Sequence, residues 1–418
     1  MSDNTNPVLA RLTSLHPRLM DLCLDRLLGL LAKLGNPERR LPPVIHVAGT
    51  NGKGSTCAFL RAIGEAAGMR VHVFTSPHLV RFNERFRVAG DIVSDDVLNA
   101  AIAHIEAVNA GEPITLFEVI TAAAFHMFAA EPADLCVLEV GLGGRGDATN
   151  VIPPPAATAI ASISMDHKEL LGDTLVLIAA EKAGIMKPNV PVAIGAQPPE
   201  VEAVLLAHAA QVGAPVVLRG REWSIEPFRF SDSRGSLALP ALGLAGPHQW
   251  DNAGIAIAAM RATGLPVPDT AFAAGVARAE WPARLQRLRG RLAAKLPPDW
   301  ELWLDGGHNP GAGAALSEQL RGWADRPVHL IVGLNQAKDG AGFLRPLIPH
   351  ATTVWAIAEP DQHAAMPVEQ VIAASGGIAR SGPTLADALR QLPRGRGPVR
   401  VLICGSLYLA GEILKADA

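Results

Sequence analysis

The chain has 418 residues, more than one hydrophobic core usually serves, so two domains are expected. With 49% apolar and 18% charged residues it is compact and globular, and with aromatics at 5% its core is built from Ala, Leu, Val and Ile. A net charge of −3 excludes a nucleic-acid partner bound through a basic face, so any anionic ligand must be held by a local site.

In chain order, residues 19–34 are leucine-rich with helical periodicity that stops at Gly35. VIHVA (44–48) has the pattern of a buried strand. A glycine-rich turn follows, then STCAFLRAIGEAAG, an amphipathic helix ending at Gly68. Further strands are expected at RVHVF (70–74), DLCVLEV (134–140), TAIASI (158–163) and VPVAIG (190–195). Helices between most of them imply a parallel sheet with covered faces. WSIEPFRFSDSRGSLAL (223–239) breaks the pattern and reads as short antiparallel strands around a turn, an excursion from the main sheet. The helical pattern returns after Gly246, and basic, proline-containing RLRGRLAAKLPPDW (287–300) suggests an interdomain connection. A second series follows, with ELWLDGG, VHLIVGL, TTVWAIA and VRVLICG as strands. The expected units are residues 1–288, a linker at 289–300, and residues 301–418. The expected class is α/β: a P-loop-type, mostly parallel sheet domain with a small antiparallel excursion, plus a smaller C-terminal Rossmann-like α/β domain.

Cys23, Cys57, Cys136 and Cys404 lie far apart without a CxxC pair and read as small buried residues in a reducing compartment. The opening MSDNTNPVLARL lacks a basic region followed by an apolar core, so no signal peptide is expected. The longest uncharged window, 148–165, carries Pro153, Pro154 and Pro155 and cannot be a membrane helix. A cytoplasmic protein is expected.

Two glycine runs compete as a phosphate site. GLGGRG, in LEVGLGGRGDATN (138–150), fits G-x-G-x-x-G after a strand, and Asp166 lies about twenty residues beyond Gly146. A dinucleotide fingerprint also needs a helix starting inside the glycines, and the three prolines that follow forbid one. HVAGTNGKGST (46–56) has what the first run lacks. Gly49, Gly52 and Gly54 let the backbone turn tightly, Lys53 supplies charge, and a helix begins at once behind them. Gly54 separates Lys53 from Ser55, a departure from the usual G-x-x-x-x-G-K-[ST]; the plain alternative is a glycine turn in an α/β sheet. A triphosphate also needs magnesium, which takes hard ligands. Ser76, Glu139 and His167 each follow or end a strand, at the sheet edge where ligands bind. Taken singly, a histidine or serine there is more often structural.

The ordered set HVAGTNGKGST, TSPHLVRFNERFRV, LFEVITAAAF, LEVGLGGRGDATN, DHKELLGDT, EKAGIMKP, DNAGIA, LDGGHNPGA and ICGSLYLAGE resembles the folylpolyglutamate synthase/dihydrofolate synthase family, within the Mur-ligase superfamily. The resemblance runs over almost the whole chain. It implies ATP-dependent addition of L-glutamate to dihydropteroate, to tetrahydrofolate, or both, through an acyl phosphate, by a monomer with no nucleic-acid or membrane partner. It assigns the ATP phosphates to Gly49, Thr50, Asn51, Gly52, Lys53, Gly54, Ser55 and Thr56, and further nucleotide contacts to Asn252, Arg284 and Asp305. Magnesium falls to Ser76, Glu139 and His167, with Lys182, carried by the family as a carbamate, on a second ion. Phe117, Arg145, Gly146 and Asp147 match pterin-binding positions, and His308 and Ser406 lie near the incoming glutamate. Lys53, Lys182 and His308 are the implied catalytic groups. The family commonly reads GGRLDATN where this chain has GGRGDATN, and Asp251 stands where members often have histidine.

Plainer readings stand beside these. Without the resemblance Lys182 reads as a helix lysine in a surface pair, Arg284 reads equally as a partner of a surface acid, and Asp305 and His308 read as a cap and a solvated residue before a helix. His46 and His126 lie on apolar segments and read as core or supporting groups. A muropeptide ligase would carry a nucleotide-sugar domain before the glycine turn, and only 48 residues precede Gly49. A P-loop NTPase would turn over ATP without pterin or glutamate. An enzyme with only folylpolyglutamate synthase activity is the nearest alternative.

Overall fold

The computed structural model describes residues 22–393 and 397–418, so residues 19–21 of the leucine-rich stretch and the opening MSDNTNPVLARL lie outside the described residues. Within them the helix spans Asp25–Lys33 and buries Leu27, Leu30 and Leu31.

The first sheet has eight strands: β1 (Val44–Ala48), β2 (Val71–Phe74), β3 (Phe86–Val88), β4 (Asp91–Ile92), β5 (Leu135–Glu139), β6 (Ala157–Ile160), β7 (Val192–Ile194) and β8 (Val216–Leu218), in the order β4-β3-β2-β5-β1-β6-β7-β8. From β2 to β8 every pairing is parallel; β3 and β4 add antiparallel at the edge. Alternate side chains serve opposite faces, as the pleat requires. Ile45, Val47, Val73 and Val137 pack against the helices Lys53–Ala66 and His248–Ala262, whereas Val44, Phe74, Cys136 and Leu138 pack against Asp25–Lys33, Asp95–Asn109 and Leu116–Ala130. Burial on both faces is why these strands read as nearly continuous apolar runs.

The excursion forms its own antiparallel sheet, β9 (Trp223–Glu226), β10 (Arg229–Asp232) and β11 (Gly235–Ala238). It is pinned down by Trp223, Phe230 and Leu237 in the first core and by buried Arg261, which donates to Asp232 (2.7 Å).

The second sheet holds β12 (Gln286–Leu288), β13 (Glu301–Leu304), β14 (Val328–Val332), β15 (Thr353–Ala356), β16 (Arg380–Ser381) and β17 (Arg400–Cys404), in the order β12-β13-β17-β14-β15-β16. Only β12 runs antiparallel to its neighbour. This differs from the expected division, which left residues 286–288 in the first unit and made 289–300 a connection. Leu292 and Trp300 pack into the second unit's core, and the backbone N–H groups of Gly290 and Leu292 donate to the Asp417 carboxylate. The chain crosses earlier, between Ala279 in the first core and Ala283 in the second. Basic and proline-rich composition suggested a linker, but regularly spaced apolar side chains dock it. Among the described residues no helix is long and apolar enough to cross a membrane.

Candidate active site

The glycine turn between β1 and the Lys53–Ala66 helix is bound to the loop after β6. Thr50 N and Asn51 N both donate to Ser162 O, and Thr50 Oγ1 donates to Ser164 O (3.0 Å). Gly52 precedes the helix at φ +88°, and a Cβ there would lie 2.3 Å from Asn252 Oδ1, so only glycine fits. Gly49 faces Ala161 and Gly54 faces the Trp281 indole at comparable closeness. Asn252 in turn donates to Gln249 Oε1 (2.9 Å), and Gln249 Nε2 donates to Ser55 Oγ (3.3 Å). Lys53 folds back to donate to Gly49 O (3.1 Å) and Thr50 O (3.3 Å). The Thr56 hydroxyl is buried without a partner. Free backbone N–H groups at a helix start, with an adjacent ammonium, form an anion site.

The Lys53 charge is felt by Glu139, His167 and Lys182. Burial pushes the Glu139 carboxyl above its ordinary range, against the pull of Lys53, the Ser76 N–H and Arg284; that N–H donates to Glu139 Oε2 (3.2 Å). Partial burial lowers the His167 imidazole and favours its neutral form. Lys182 is 5% exposed, and burial, helped by Lys53, brings its amine down to about 7. The surface-pair reading of Lys182 is therefore replaced by a buried amine that is half neutral near pH 7. Among the described residues no three His, Cys, Asp or Glu side chains cluster as a metal cage. The hydroxyl, desolvated carboxylate and neutral imidazole of Ser76, Glu139 and His167 still suit an ion that completes its shell with phosphate and water.

The second glycine run makes a loop, as the prolines require: Asp147 caps one 3₁₀ turn, Ala148–Val151, and no helix starts among the glycines. The Asp147 carboxylate accepts from Leu142 N (2.8 Å), Thr149 N (3.0 Å) and the Thr149 hydroxyl, so it shapes the loop from within. Phe117 points the tip of its ring (Cζ, Cε1, Cε2) at Gly141, where an added Cβ would clash with it. Arg145 is exposed and reaches Ala180 O (3.2 Å) and Glu181 (3.4 Å). Gly146 backs onto Leu22, whose Cβ and O would be 3.0 Å from an added Cβ; a larger residue there would displace that segment. Asp251 pairs with Arg219, a use that a histidine would not serve.

From the second unit, Asp305 accepts from Leu285 N (2.8 Å) and Gly307 N (2.7 Å), clasping the chain crossing rather than capping a helix; Asn309 caps Pro310–Gly322. Arg284 donates to Ala283 O (3.2 Å), and its charge is felt by Glu139. His308 Nδ1 bonds Gly306 O (2.9 Å), and its Nε2 faces Asp166 at 3.7 Å. Ser406 caps Leu407–Asp417 and donates to Asn335 Oδ1 (2.6 Å) on β14's following loop. Gln249, Asp166, Asn309 and Lys338 escaped sequence reasoning as site residues. Gln249 stands just before DNAGIA and Asn309 just after His308, which was the available signal; Lys338 carried none.

The family model for the dihydrofolate synthetase C-terminal domain matches residues 292–416. The Escherichia coli K12 dihydrofolate synthase/folylpolyglutamate synthase is 34% identical over 413 residues, covering 97% of this chain and 94% of that protein. A solved structure of E. coli FolC in complex with DHPP and ADP superposes with a TM-score of 0.89 at 33% identity, covering 100% of this chain and 99% of that one. A bifunctional folylpolyglutamate synthase/dihydrofolate synthase with Mn, AMPPNP and L-glutamate bound gives 0.86 at 32% identity, covering 99% and 98%. The chain belongs to the dihydrofolate synthase/folylpolyglutamate synthase family.

Proposed function

We propose that this chain is an ATP-dependent ligase that joins L-glutamate to dihydropteroate and to tetrahydrofolate, releasing ADP and phosphate. The observation that carries the reading is the setting of Lys53: a helix-start anion site whose charge reaches the buried Glu139 and Lys182, with Asn309 of the second unit bonded to Asn51 of the same turn.

A carboxylate resists attack by an amine until one oxygen becomes a leaving group. The turn from Gly49 to Thr56 holds the ATP phosphates through the backbone N–H groups at the start of the Lys53–Ala66 helix, and Lys53 leaves its two carbonyl partners to neutralise the transferring phosphoryl group. Asn252, Arg284 and Asp305 hold the nucleotide. Phe117 and the loop of Arg145, Gly146 and Asp147 present the pterin substrate's carboxylate, which attacks the γ-phosphorus and becomes an acyl phosphate. Ser76, Glu139 and His167 would hold a divalent metal that offsets phosphate charge, with carbamylated Lys182 on a second. His308 and Ser406 orient the L-glutamate amine, which attacks the acyl carbon, expels phosphate and forms the amide. Closure of the second unit keeps water from the acyl phosphate. The units are the first sheet's domain and a C-terminal domain beginning near Ala283. The enzyme is a monomer and is cytoplasmic, the compartment being supported by four free cysteines, three of them buried.

Phosphate release with ATP, magnesium and L-glutamate, measured with dihydropteroate or tetrahydrofolate added, tests the reading. Stimulation by both is expected. Stimulation by tetrahydrofolate alone would reduce it to a folylpolyglutamate synthase, and release indifferent to either would replace it with an NTPase.

A further inference from the structure

Besides Leu79 and Ala245, which pack against the second unit's cores, the two units touch through a small polar cluster centred on Asp166, which follows β6 in the first unit. Asp166 Oδ1 accepts from Lys338 Nζ (2.6 Å), and Oδ2 accepts from Asn309 Nδ2 (3.0 Å). Both donors belong to the second unit. Asn309 is 2% exposed, and its amide is fully committed. Its Nδ2 also donates to Asn51 Oδ1 (3.0 Å), while its Oδ1 accepts from Asn51 Nδ2 (3.1 Å) and Ala312 N (2.9 Å). One side chain therefore caps the second unit's Pro310–Gly322 helix, pairs with the phosphate turn, and meets Asp166. The approach is tight: a Cβ on Gly311 would lie 2.6 Å from Ser164 Oγ and 2.7 Å from Asn51 Nδ2.

We propose that Asp166, Asn309 and Lys338 form a latch that holds the second unit closed over the phosphate turn, so that Asn51 and His308 come into register only when the latch is made. Polar contacts between domains are easily broken, and domain motion is the default where no large apolar interface opposes it. A charged pair at 11% and 17% side-chain exposure, together with a reciprocal amide pair, gives one closed arrangement without preventing opening for product release. Asp166 and Lys338 are positioning residues here. What closure serves, ligation shielded from water, rests on the function proposed above; the latch itself does not.

The test compares full-length wild type with Lys338→Met, Asp166→Asn and the double variant, with ADP and magnesium bound. Amide hydrogen exchange over residues 162–168 and 307–313 is read alongside ADP affinity, melting temperature, and the split between kcat and KM for L-glutamate. Lys338→Met is expected to keep ADP affinity within about twofold and melting temperature unchanged. It should speed exchange in both segments and raise KM for glutamate on the order of thirtyfold or more, the low end of what truncating one partner of a hydrogen-bonded charge pair costs. More phosphate should be released per amide formed. The double variant should be no worse than Asp166→Asn alone, because that substitution already breaks the contact Lys338→Met removes. Unchanged exchange in Lys338→Met, additive single effects, or a matched loss of melting temperature and ADP affinity with unaltered glutamate dependence would each overturn the latch. If wild type shows no pterin-dependent turnover, the functional reading fails, and the exchange comparison still decides the latch.

Discussion

His46 Nε2 lies 2.8 Å from Thr149 Oγ1, and the Thr149 hydroxyl proton is already given to Asp147. The hydroxyl can then only accept from His46, so the imidazole must carry its proton on Nε2, and Nδ1, which is buried without a partner, is the bare nitrogen. The central strand β1 thus supports the glycine loop through a histidine–threonine–aspartate chain. Thr149→Val should leave a buried N–H unsatisfied and cost about 2–3 kcal/mol of stability, with a raised KM for dihydropteroate, while Thr149→Ser should be close to neutral. Denaturant unfolding and nitrogen-15 shifts of His46 check both the energy and the tautomer. An Nδ1-protonated ring would refute the chain.

The same histidine sets an acid limit. Burial holds His46 down to about 3 and His78 to about 2, both well below the unfolded value of 6.5. The unfolded chain takes up those protons first, so their contribution is fully present above pH 6.5 and is lost as pH falls towards the folded values. At pH 5.5, one unit below the unfolded value, each should cost about 1 kcal/mol relative to neutral pH. Urea midpoints at pH 7.5 and 5.5 measure this, and His46→Gln should flatten part of the difference. A pH-independent midpoint across that interval would show that neither ring stays neutral.

Lys182 puts function and stability in opposition. An amine brought from 10.5 to about 7 is protonated in the unfolded chain and half neutral when folded, so burying it costs stability at pH 7, and the cost shrinks as pH rises. That neutral fraction is the nucleophile that attacks carbon dioxide and, losing a proton, becomes the carbamate. Carbon-13 bicarbonate should therefore give a carbamate signal that strengthens from pH 6 to pH 8 and is absent in Lys182→Met. The same variant should abolish ligation yet raise stability by about 2 kcal/mol, since an apolar side chain replaces a desolvated amine. Loss of stability in Lys182→Met would mean that the amine has a structural partner.

The readable and unreadable parts of this chain divide by sequence separation and by strand length. VIHVA, DLCVLEV and VRVLICG were legible because strands buried on both faces are apolar at nearly every position. The phosphate turn was legible because its glycines, lysine and helix are contiguous. β3, β4, β8, β12 and β16 are two or three residues long and carry no period to detect. Asp166 and Lys338 meet across 172 residues, and no spacing rule joins an acid after one strand to a lysine in another unit's loop. Asp166 drew notice only as the acid of a dinucleotide fingerprint, a task excluded by the prolines that follow Gly146.

Gly54 shows how the phosphate turn depends on a residue far along the chain. An added Cβ would lie 2.8 Å from Trp281 Nε1 and 2.9 Å from Cε2, and an indole cannot bend away as a flexible side chain would. Ala is the better helix former, so on propensity alone Gly54→Ala should stabilise the Lys53–Ala66 helix by up to about 1 kcal/mol. Overpacking against Trp281 reverses the sign and should cost about 1–3 kcal/mol. It should also weaken ADP binding, because the displaced turn misaligns Lys53 and Ser55. Trp281→Leu, which removes the indole, should restore most of the ADP affinity in the Gly54→Ala background while being mildly destabilising alone. Isothermal titration with ADP across the four proteins of this cycle checks the coupling. Additive losses would show that Gly54 answers to backbone freedom or to the nucleotide itself, and not to the tryptophan above it.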